Sequence, residues 1–250
     1  MKFPVIFHLG PLNLHSHFAL ESLAYFLGYR LYAWRRRQHG DFLSLDQRLW
    51  MVAAAIIGGA LGSKILNLLC NPALTIEKWN DPFYLMGGKT IVGGLIGGLF
   101  AVELAKQRLG IVRRTGDLFA VPLCVGIAIG RIGCFLSGLD DDTYGIATTL
   151  PWGVDFGDSI PRHPTQVYEI VWLVMLALWL NWRSTEPHRE GDLFKGFMIG
   201  YMGFRLGVDF IKPGIPLAGL TAIQWACVGM LIYYRNDIVR LWRPREEQVV

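Results

Sequence analysis

The sequence is poor in charge. Lys, Arg, Asp and Glu together make up 18% of its 250 residues, while 52% are hydrophobic and 13% aromatic. Soluble domains average about 25% charged, so the composition argues against a freely soluble globular class. Cysteine is scarce too. Cys70, Cys124, Cys134 and Cys227 are its four cysteines, and none forms a CxxC pair, which argues against a disulfide or zinc framework. The acidic run Asp140-Asp141-Asp142 lacks EF-hand spacing, reads as a solvated loop, and gives no reason to expect a metal or cofactor. The opening MKFPVIFHLGPLNLHSH lacks a clean apolar core and a small-residue cleavage site, so no cleavable signal is expected. The net charge of +4 hints at nucleic acid only until its distribution is read. Basic residues gather at alternate ends of apolar segments, the mark of membrane topology, and no nucleic-acid partner is expected.

What the chain does have is apolar sequence in blocks of about 20 residues, the length that crosses a hydrocarbon core. The reading is an all-α membrane protein, a single polytopic domain over residues 1–250. Its seven predicted spans are roughly 15–33, 49–70, 84–105, 117–137, 166–182, 194–211 and 217–235. The runs GGALGS and GGLIGG place small residues three or four apart, a spacing that lets membrane helices approach closely. Arg35 to Arg37 follow the first span; Lys106, Arg108, Arg113 and Arg114 the third; Arg183, Arg189 and Lys195 the fifth; and Arg235, Arg240, Arg243 and Arg245 the seventh. The other loops are sparse in Lys and Arg. The positive-inside rule then puts the N-terminus outside and the C-terminus in the cytoplasm.

Ionisable groups within spans are costly, so each is a functional candidate. His17 and Glu21, at i and i+4, share a face near the outer end of the first span. Lys89 opens the third span; Arg131, Cys134 and Ser137 close the fourth; His163, Gln166, Tyr168 and Glu169 open the fifth. Arg205 and Asp209, again i and i+4, lie in the outer half of the sixth. Taken singly, Arg205–Asp209 reads as an intrahelical ion pair and Glu169 as an interfacial residue facing water. Taken together, the polar groups of most spans converge at one depth, near the outer leaflet. Guanidinium groups bind phosphate bidentately, so Arg131 and Arg205 are placed to hold a phospholipid phosphate and stabilise charge on a phosphate leaving group. Gly130 and Gly133 would let a headgroup approach the backbone. The residues alone reach an outer-leaflet phospholipid enzyme or binder.

The stretch GRIGCFLSG resembles the signature of prolipoprotein diacylglyceryl transferases, usually G-R-I-G-N-F-x-N-G, and HPTQVYE (163–169) is similar to that family's H-P-[ST]-Q-L-Y-E. LGPLNLHSH, MGGKTIVGGLIGG and GFRLGVDF resemble, in order, its entry to the first span, its glycine-rich third span and its sixth-span segment. The resemblance runs from about residue 9 to 230. It implies transfer of the diacylglyceryl group of phosphatidylglycerol to the lipobox cysteine of a prolipoprotein, at the outer face of the bacterial cytoplasmic membrane. Glycerol phosphate is released and a thioether is made. It also implies that Arg131 and Arg205 act in catalysis, and that Gly133, Cys134, Ser137, Gly145, His163, Gln166, Tyr168 and Glu169 line the substrate site, the H-P-T-Q block serving largely in structure.

The departures from the family pattern carry as much information. Where the third span usually reads F-H-G-G, this chain reads I-V-G-G, so Val92 stands in place of the expected base. Cys134 and Ser137 replace the two signature asparagines, and His17 stands where the family has a tyrosine. His17 is the best replacement base, since imidazole titrates near neutrality, with Glu21 to orient it. Lys89 is the other, or else a headgroup anchor. Cys134 reads as a small apolar filler, the sharper alternative being a nucleophile beside Arg131. Two further readings stay open: a diverged relative with another acceptor or donor lipid, and a non-catalytic lipid-binding protein. A small transporter finds no support, for no inverted repeat or broken-helix pair is visible.

Overall fold

A computed structural model describes residues 3–10 and 12–242; Pro11 of the LGPLNLHSH stretch and the basic residues Arg243 and Arg245 lie outside them. The chain is mostly helical. In order come the strands β1 (Ile6–Leu9) and β2 (Leu12–His15), then α1 (Ser16–His39), α2 (Leu45–Cys70), α3 (Pro72–Glu77), α4 (Pro82–Met86), α5 (Ile91–Arg108) and α6 (Asp117–Ser137). After a 3-10 turn at Gly138–Asp141 follow β3 (Val154–Asp155), β4 (Pro161–Arg162), α7 (Thr165–Ser184) and α8 (Asp192–Val208). A second 3-10 turn at Asp209–Ile211 precedes α9 (Ala222–Tyr233) and α10 (Arg235–Trp242).

Helices α1, α2, α5, α6, α7, α8 and α9 fall on the seven apolar segments. Two helical runs, Leu45–Cys70 and Asp117–Asp141, are long and apolar enough to cross a membrane. Large apolar side chains stand exposed along these helices, among them Ile56, Ile57, Leu61 and Ile65 of α2 and Val171, Val174 and Leu178 of α7, as expected for faces made to meet lipid.

Some boundaries shift for local reasons. Arg35, Arg36 and Arg37 are not a loop: α1 continues to His39. Arg35 is buried, its Nη1 donating to Asn181 Oδ1 at 3.1 Å. The third segment starts late, at Ile91, because Gly88 takes φ +64°, a left-handed conformation that helices do not continue through. The seventh starts at Ala222, where Thr221 and Gln224 close a capping box.

By its internal contacts the chain divides into two units, each described by itself. One comprises residues 41–114 and 214–240. Its centre is the crossing of α2 and α5, where Gly58 and Gly62 face Gly93 and Gly97. A Cβ on Gly97 would collide with the Gly58 carbonyl oxygen and the Gly62 Cα, and one on Gly62 with Gly93 and Gly97. The helices therefore meet backbone to backbone, the small-residue packing expected of the glycine runs. Thr90 locks the crossing at its end, its N–H donating to Ser63 Oγ at 2.9 Å and its hydroxyl to the Ser63 carbonyl at 3.1 Å.

The other unit, made up of the described residues up to 40 with 115–213 and 241–242, packs α1 on α6, α6 on α7, and α7 on α8. Asp117, at the start of α6, accepts from the N–H groups of Gly191 at 2.6 Å and Phe194 at 3.0 Å. It thereby caps α8 and brings the two N-termini to one level. Arg131 lies fourteen residues beyond Asp117 and Arg205 thirteen beyond Asp192, about 20 Å along each axis at 1.5 Å per residue. Two side chains far apart in sequence thus reach one depth. At that end the loop after α6 folds back: Gly145 N–H donates to the His163 carbonyl and Ile146 N–H to the Ile211 carbonyl, both at 2.9 Å. Phe156 plugs the loop against Phe3, Phe135 and Tyr144 and is 1% exposed. It is a buried anchor for the loop.

The glycine crossing gives a paired prediction within one helix. Gly97→Ala should destabilise the chain by the overpacking cost of about 1–3 kcal/mol, read as a lower thermal midpoint in detergent. Gly94→Ala, whose new methyl would meet only ordinary contacts at 3.5 and 3.7 Å, should leave the midpoint nearly unchanged. Equal effects would refute the backbone-to-backbone account.

Candidate active site

Each helix brings a short buried stripe to the site. Gln166, Glu169, Leu173, Leu176 and Leu180 recur every three or four residues and form the buried face of α7. On α8, Tyr201 and Arg205 are one turn apart, and Asp209 opens the next turn. Arg131 comes from the buried face of α6.

Glu169 is the hub. Its Oε2 lies 3.0 Å from Arg131 Nε and 3.8 Å from Arg205 Nη1, while Oε1 accepts from the Tyr201 hydroxyl at 2.6 Å. Arg205 Nη2 donates to Asp209 Oδ1 at 2.8 Å. All five residues are buried. A lone buried guanidinium is strongly disfavoured, so the shared carboxylates are what allow both arginines to sit inside. Lys212, just past the second 3-10 turn, adds its charge to Glu169 and the arginines. Three cations therefore face two carboxylates, an excess of one positive charge. Arg131 Nε, Arg205 Nε and both amide atoms of Gln166 are buried without an aligned hydrogen-bond partner. Arg131 Nε already faces Glu169, so Arg205 Nε and Gln166 Nε2 are the donors left over from this set, and buried donors with excess positive charge nearby are chemically suited to an anion.

A second cluster adjoins the first. Arg131 Nη1 reaches Cys134 Sγ at 3.5 Å, one turn along α6. His17 Nδ1 lies 3.2 Å from Asp141 Oδ1, and its Nε2 lies 3.6 Å from Glu21 Oε2. Asp141 is therefore not a freely solvated member of its acidic run: Asp140 and Asp142 are exposed, but Asp141 turns in against α1. Cys134 is buried, as a filler would be, yet it touches a charge.

The other sequence candidates have structural duties. Gly133 packs on His17 and Leu20 of α1, so it permits a helix crossing and not the approach of a headgroup. Ser137 spends its hydroxyl on the Gly133 carbonyl at 2.9 Å. A Cβ on Gly145 would strike His163 and the Ile211 carbonyl, so glycine keeps the returning loop closed. His163 Nδ1 is 3.2 Å from the Tyr168 hydroxyl, which accepts from Trp152 Nε1 at 2.8 Å, and these three form the loop's rim. Lys89 and Val92 belong to the other unit. Lys89 is exposed in the extended segment before α5, and Val92 is fully buried in α5 with no group to take a proton.

Comparison with known proteins agrees with the motifs. The prolipoprotein diacylglyceryl transferase family matches residues 4–235. The chain belongs to that family. It is 34% identical over 251 residues to the phosphatidylglycerol–prolipoprotein diacylglyceryl transferase of Bordetella parapertussis, covering 92% of this chain and 91% of that one. It is 31% identical to those of Nitratidesulfovibrio vulgaris, covering 97% and 93%, and Coxiella burnetii, covering 90% and 88%. The family is one of membrane-bound diacylglyceryl transferases, so the chain is read as an enzyme.

Of the residues named from sequence, the fold gathers Arg131, Arg205 and Glu169 into one buried cluster, with Gln166 one turn before Glu169 on the buried face of α7, and His17, Glu21 and Cys134 into its neighbour. Glu169 does not face water at the interface; it is the counter-ion of two arginines. Sequence reasoning passed over Tyr201, Lys212 and the inward turn of Asp141. The signal for Tyr201 was its place one turn before Arg205, and for Lys212 its spacing of three after Asp209.

Burial, followed by the field of Arg205 and Arg131, pulls the Lys212 ammonium down to about 8 from its ordinary 10.5. A base so depressed is charged below pH 8 whether the chain is folded or not. Above pH 8 the folded chain loses that proton while the unfolded chain keeps it to about 10.5, so stability rises across that window. Anion affinity goes the other way, because the site loses one positive charge. Binding of inorganic phosphate or glycerol phosphate, followed by calorimetry, should weaken as pH rises through about 8. Lys212→Met should flatten that profile and weaken binding at pH 7 by about 10–100-fold, the worth of one charged hydrogen bond. An unchanged profile in the variant would remove Lys212 from the site.

Proposed function

We propose that the chain transfers the diacylglyceryl group of phosphatidylglycerol to the cysteine thiol of a prolipoprotein, at the outer face of the bacterial inner membrane. The observation that carries this is the buried Arg131–Glu169–Arg205 cluster with its leftover donors. Glu169 fixes both guanidinium groups without neutralising them. Phosphate oxygens of the headgroup would bind to the remaining N–H groups, with Gln166 beside them. The acceptor sulfur attacks the glyceryl carbon, the carbon–oxygen bond to phosphate breaks, and the electron pair passes to a phosphate oxygen. Arginines aimed at that oxygen stabilise the charge where it develops.

The same proposal includes the topology: one membrane domain over residues 1–250, seven spans, the N-terminus outside and the C-terminus cytoplasmic. The charge pattern of the loops supports it, as do the two long apolar helices and the exposed apolar faces. With valine at position 92, the proton of the acceptor thiol must go elsewhere, and His17 with Glu21 is our candidate.

The test is reconstitution of the purified chain with labelled phosphatidylglycerol and a lipobox peptide, scored for thioether and released glycerol phosphate. Arg131→Ala and Arg205→Ala should each cost about 10²–10³ in turnover, the range for one donor aimed at developing charge. Lipid bound in an arginine-dependent way with no thioether would instead favour a different acceptor or a binding role.

A further inference from the structure

His17, Cys134 and Asp141 come from α1, α6 and the 3-10 turn after α6, yet Nδ1, Sγ and a carboxylate oxygen all lie within 4.8 Å of one another. The shortest of these separations, His17 Nδ1 to Asp141 Oδ1, is 3.2 Å. Ligand atoms about 2.0–2.3 Å from a tetrahedral zinc ion are spaced about 3.3–3.8 Å apart, so atoms within 4.8 Å of one another need to close by no more than about 1.0–1.5 Å. Their surroundings favour this. His17 Nδ1 lacks an aligned hydrogen bond, while Nε2 lies 3.6 Å from Glu21 Oε2, so a small approach of that carboxylate would orient the imidazole as metal-bound histidines require. Asp141 Oδ2 accepts from the Thr143 hydroxyl at 2.5 Å, which leaves Oδ1 to face inward. The Cys134 side chain is buried, whereas His17 and Asp141 keep 32% and 14% of their side-chain surface exposed, so the cluster has an open side.

We infer that His17, Cys134 and Asp141 form a zinc-class metal site with three protein ligands and an open fourth position for the acceptor thiol. The mixed nitrogen, sulfur and oxygen set suits zinc and not calcium or magnesium, which take oxygen. Three protein ligands with one position open is the arrangement of catalytic zinc. The Cys134 thiolate and the Asp141 carboxylate balance the doubly charged ion. The acceptor thiol gives its proton to a metal-bound hydroxide, which leaves as water, and its sulfur stays on the ion as thiolate. That sulfur then forms the carbon–sulfur bond as the carbon–oxygen bond to phosphate breaks, the electron pair leaving on glycerol phosphate beside Arg131 and Arg205. Nothing is oxidised or reduced. The acceptor role rests on the transferase reading above, and within it His17 becomes a ligand instead of a base.

The test uses the full chain purified in detergent, stripped with a chelator and titrated with Co²⁺, then Zn²⁺. The expected result is a thiolate-to-cobalt charge-transfer band with tetrahedral d–d absorption, displaced by zinc, and roughly one ion per chain by elemental analysis. Cys134→Ser should abolish the charge-transfer band. Asp141→Asn, a near-isosteric change in a turn, and Glu21→Gln should each weaken zinc binding by about 10–100-fold. A wild-type chain that gives no thiolate–cobalt band overturns the site without reliance on any variant's folding, and so does a band that survives Cys134→Ser. Transfer at full rate by stripped protein overturns the metal's part in the reaction and leaves the transferase reading standing. Metal bound with these spectra, but no transfer in any loaded state, supports the site and overturns the transferase reading instead.

Discussion

One carboxylate shared between two arginines governs the site end of this protein. Each guanidinium would be driven from a low-dielectric interior if left alone, and removing one partner of such a buried pair costs about 3–5 kcal/mol. Glu169 answers for both at once, with Oε2 facing Arg131 and Arg205 and Oε1 held by Tyr201. Both of its oxygens are engaged, so Glu169 has little capacity left to act as a base or to contact substrate. Its consequence is indirect: it holds each arginine in position while offsetting only part of their combined charge, which is what the proposed anion site requires. Asp209 does the same for Arg205 alone, from the next turn.

Such a cluster forms only if three helices deliver their side chains at one depth. Asp117 supplies that register by capping α8 from the start of α6, about 20 Å from the arginines. The loop after α6 then has to return without pushing the helices apart. It does so where Gly145 lets His163 and the Ile211 carbonyl come close, and where Phe156 fills the space beneath. The signature glycine Gly133 belongs to the same task, since it admits α1 against α6. Several residues that read as substrate contacts are better understood as what holds the contacts in place.

That distinction marks what was legible in the sequence. Hydropathy located seven of the helices, because an apolar run of about 20 residues satisfies its own backbone hydrogen bonds most simply as a helix. The pairs His17–Glu21 and Arg205–Asp209 were legible because helical spacing alone puts such residues on one face. Glu169 was visible as a candidate but its partners were not, for they depend on how α7 packs between α6 and α8. Tyr201 was hidden among apolar neighbours that read equally well as core. The inward turn of Asp141 depends on the 3-10 turn closing at Asp142, which takes φ +51°; nothing in three consecutive aspartates says which one will turn inward.

In the proposed transfer between a lipid phosphate and a thiol, the two clusters would divide the chemistry. Arginine suits the departing phosphate because it stays charged and offers a planar fork of donors, but for that same reason it cannot accept the thiol's proton. A second kind of group is therefore required nearby, and fully buried Val92 cannot be that group. Arg131 touches Cys134 one turn along α6, and the ligand atoms of His17 and Asp141 cluster with the Cys134 sulfur. The arginine that would meet the leaving oxygen is thus within one helical turn of the side chains that would receive the attacking sulfur. Arg131 and Cys134, one turn apart on α6, would therefore tie the two halves of the proposed reaction to a single helix.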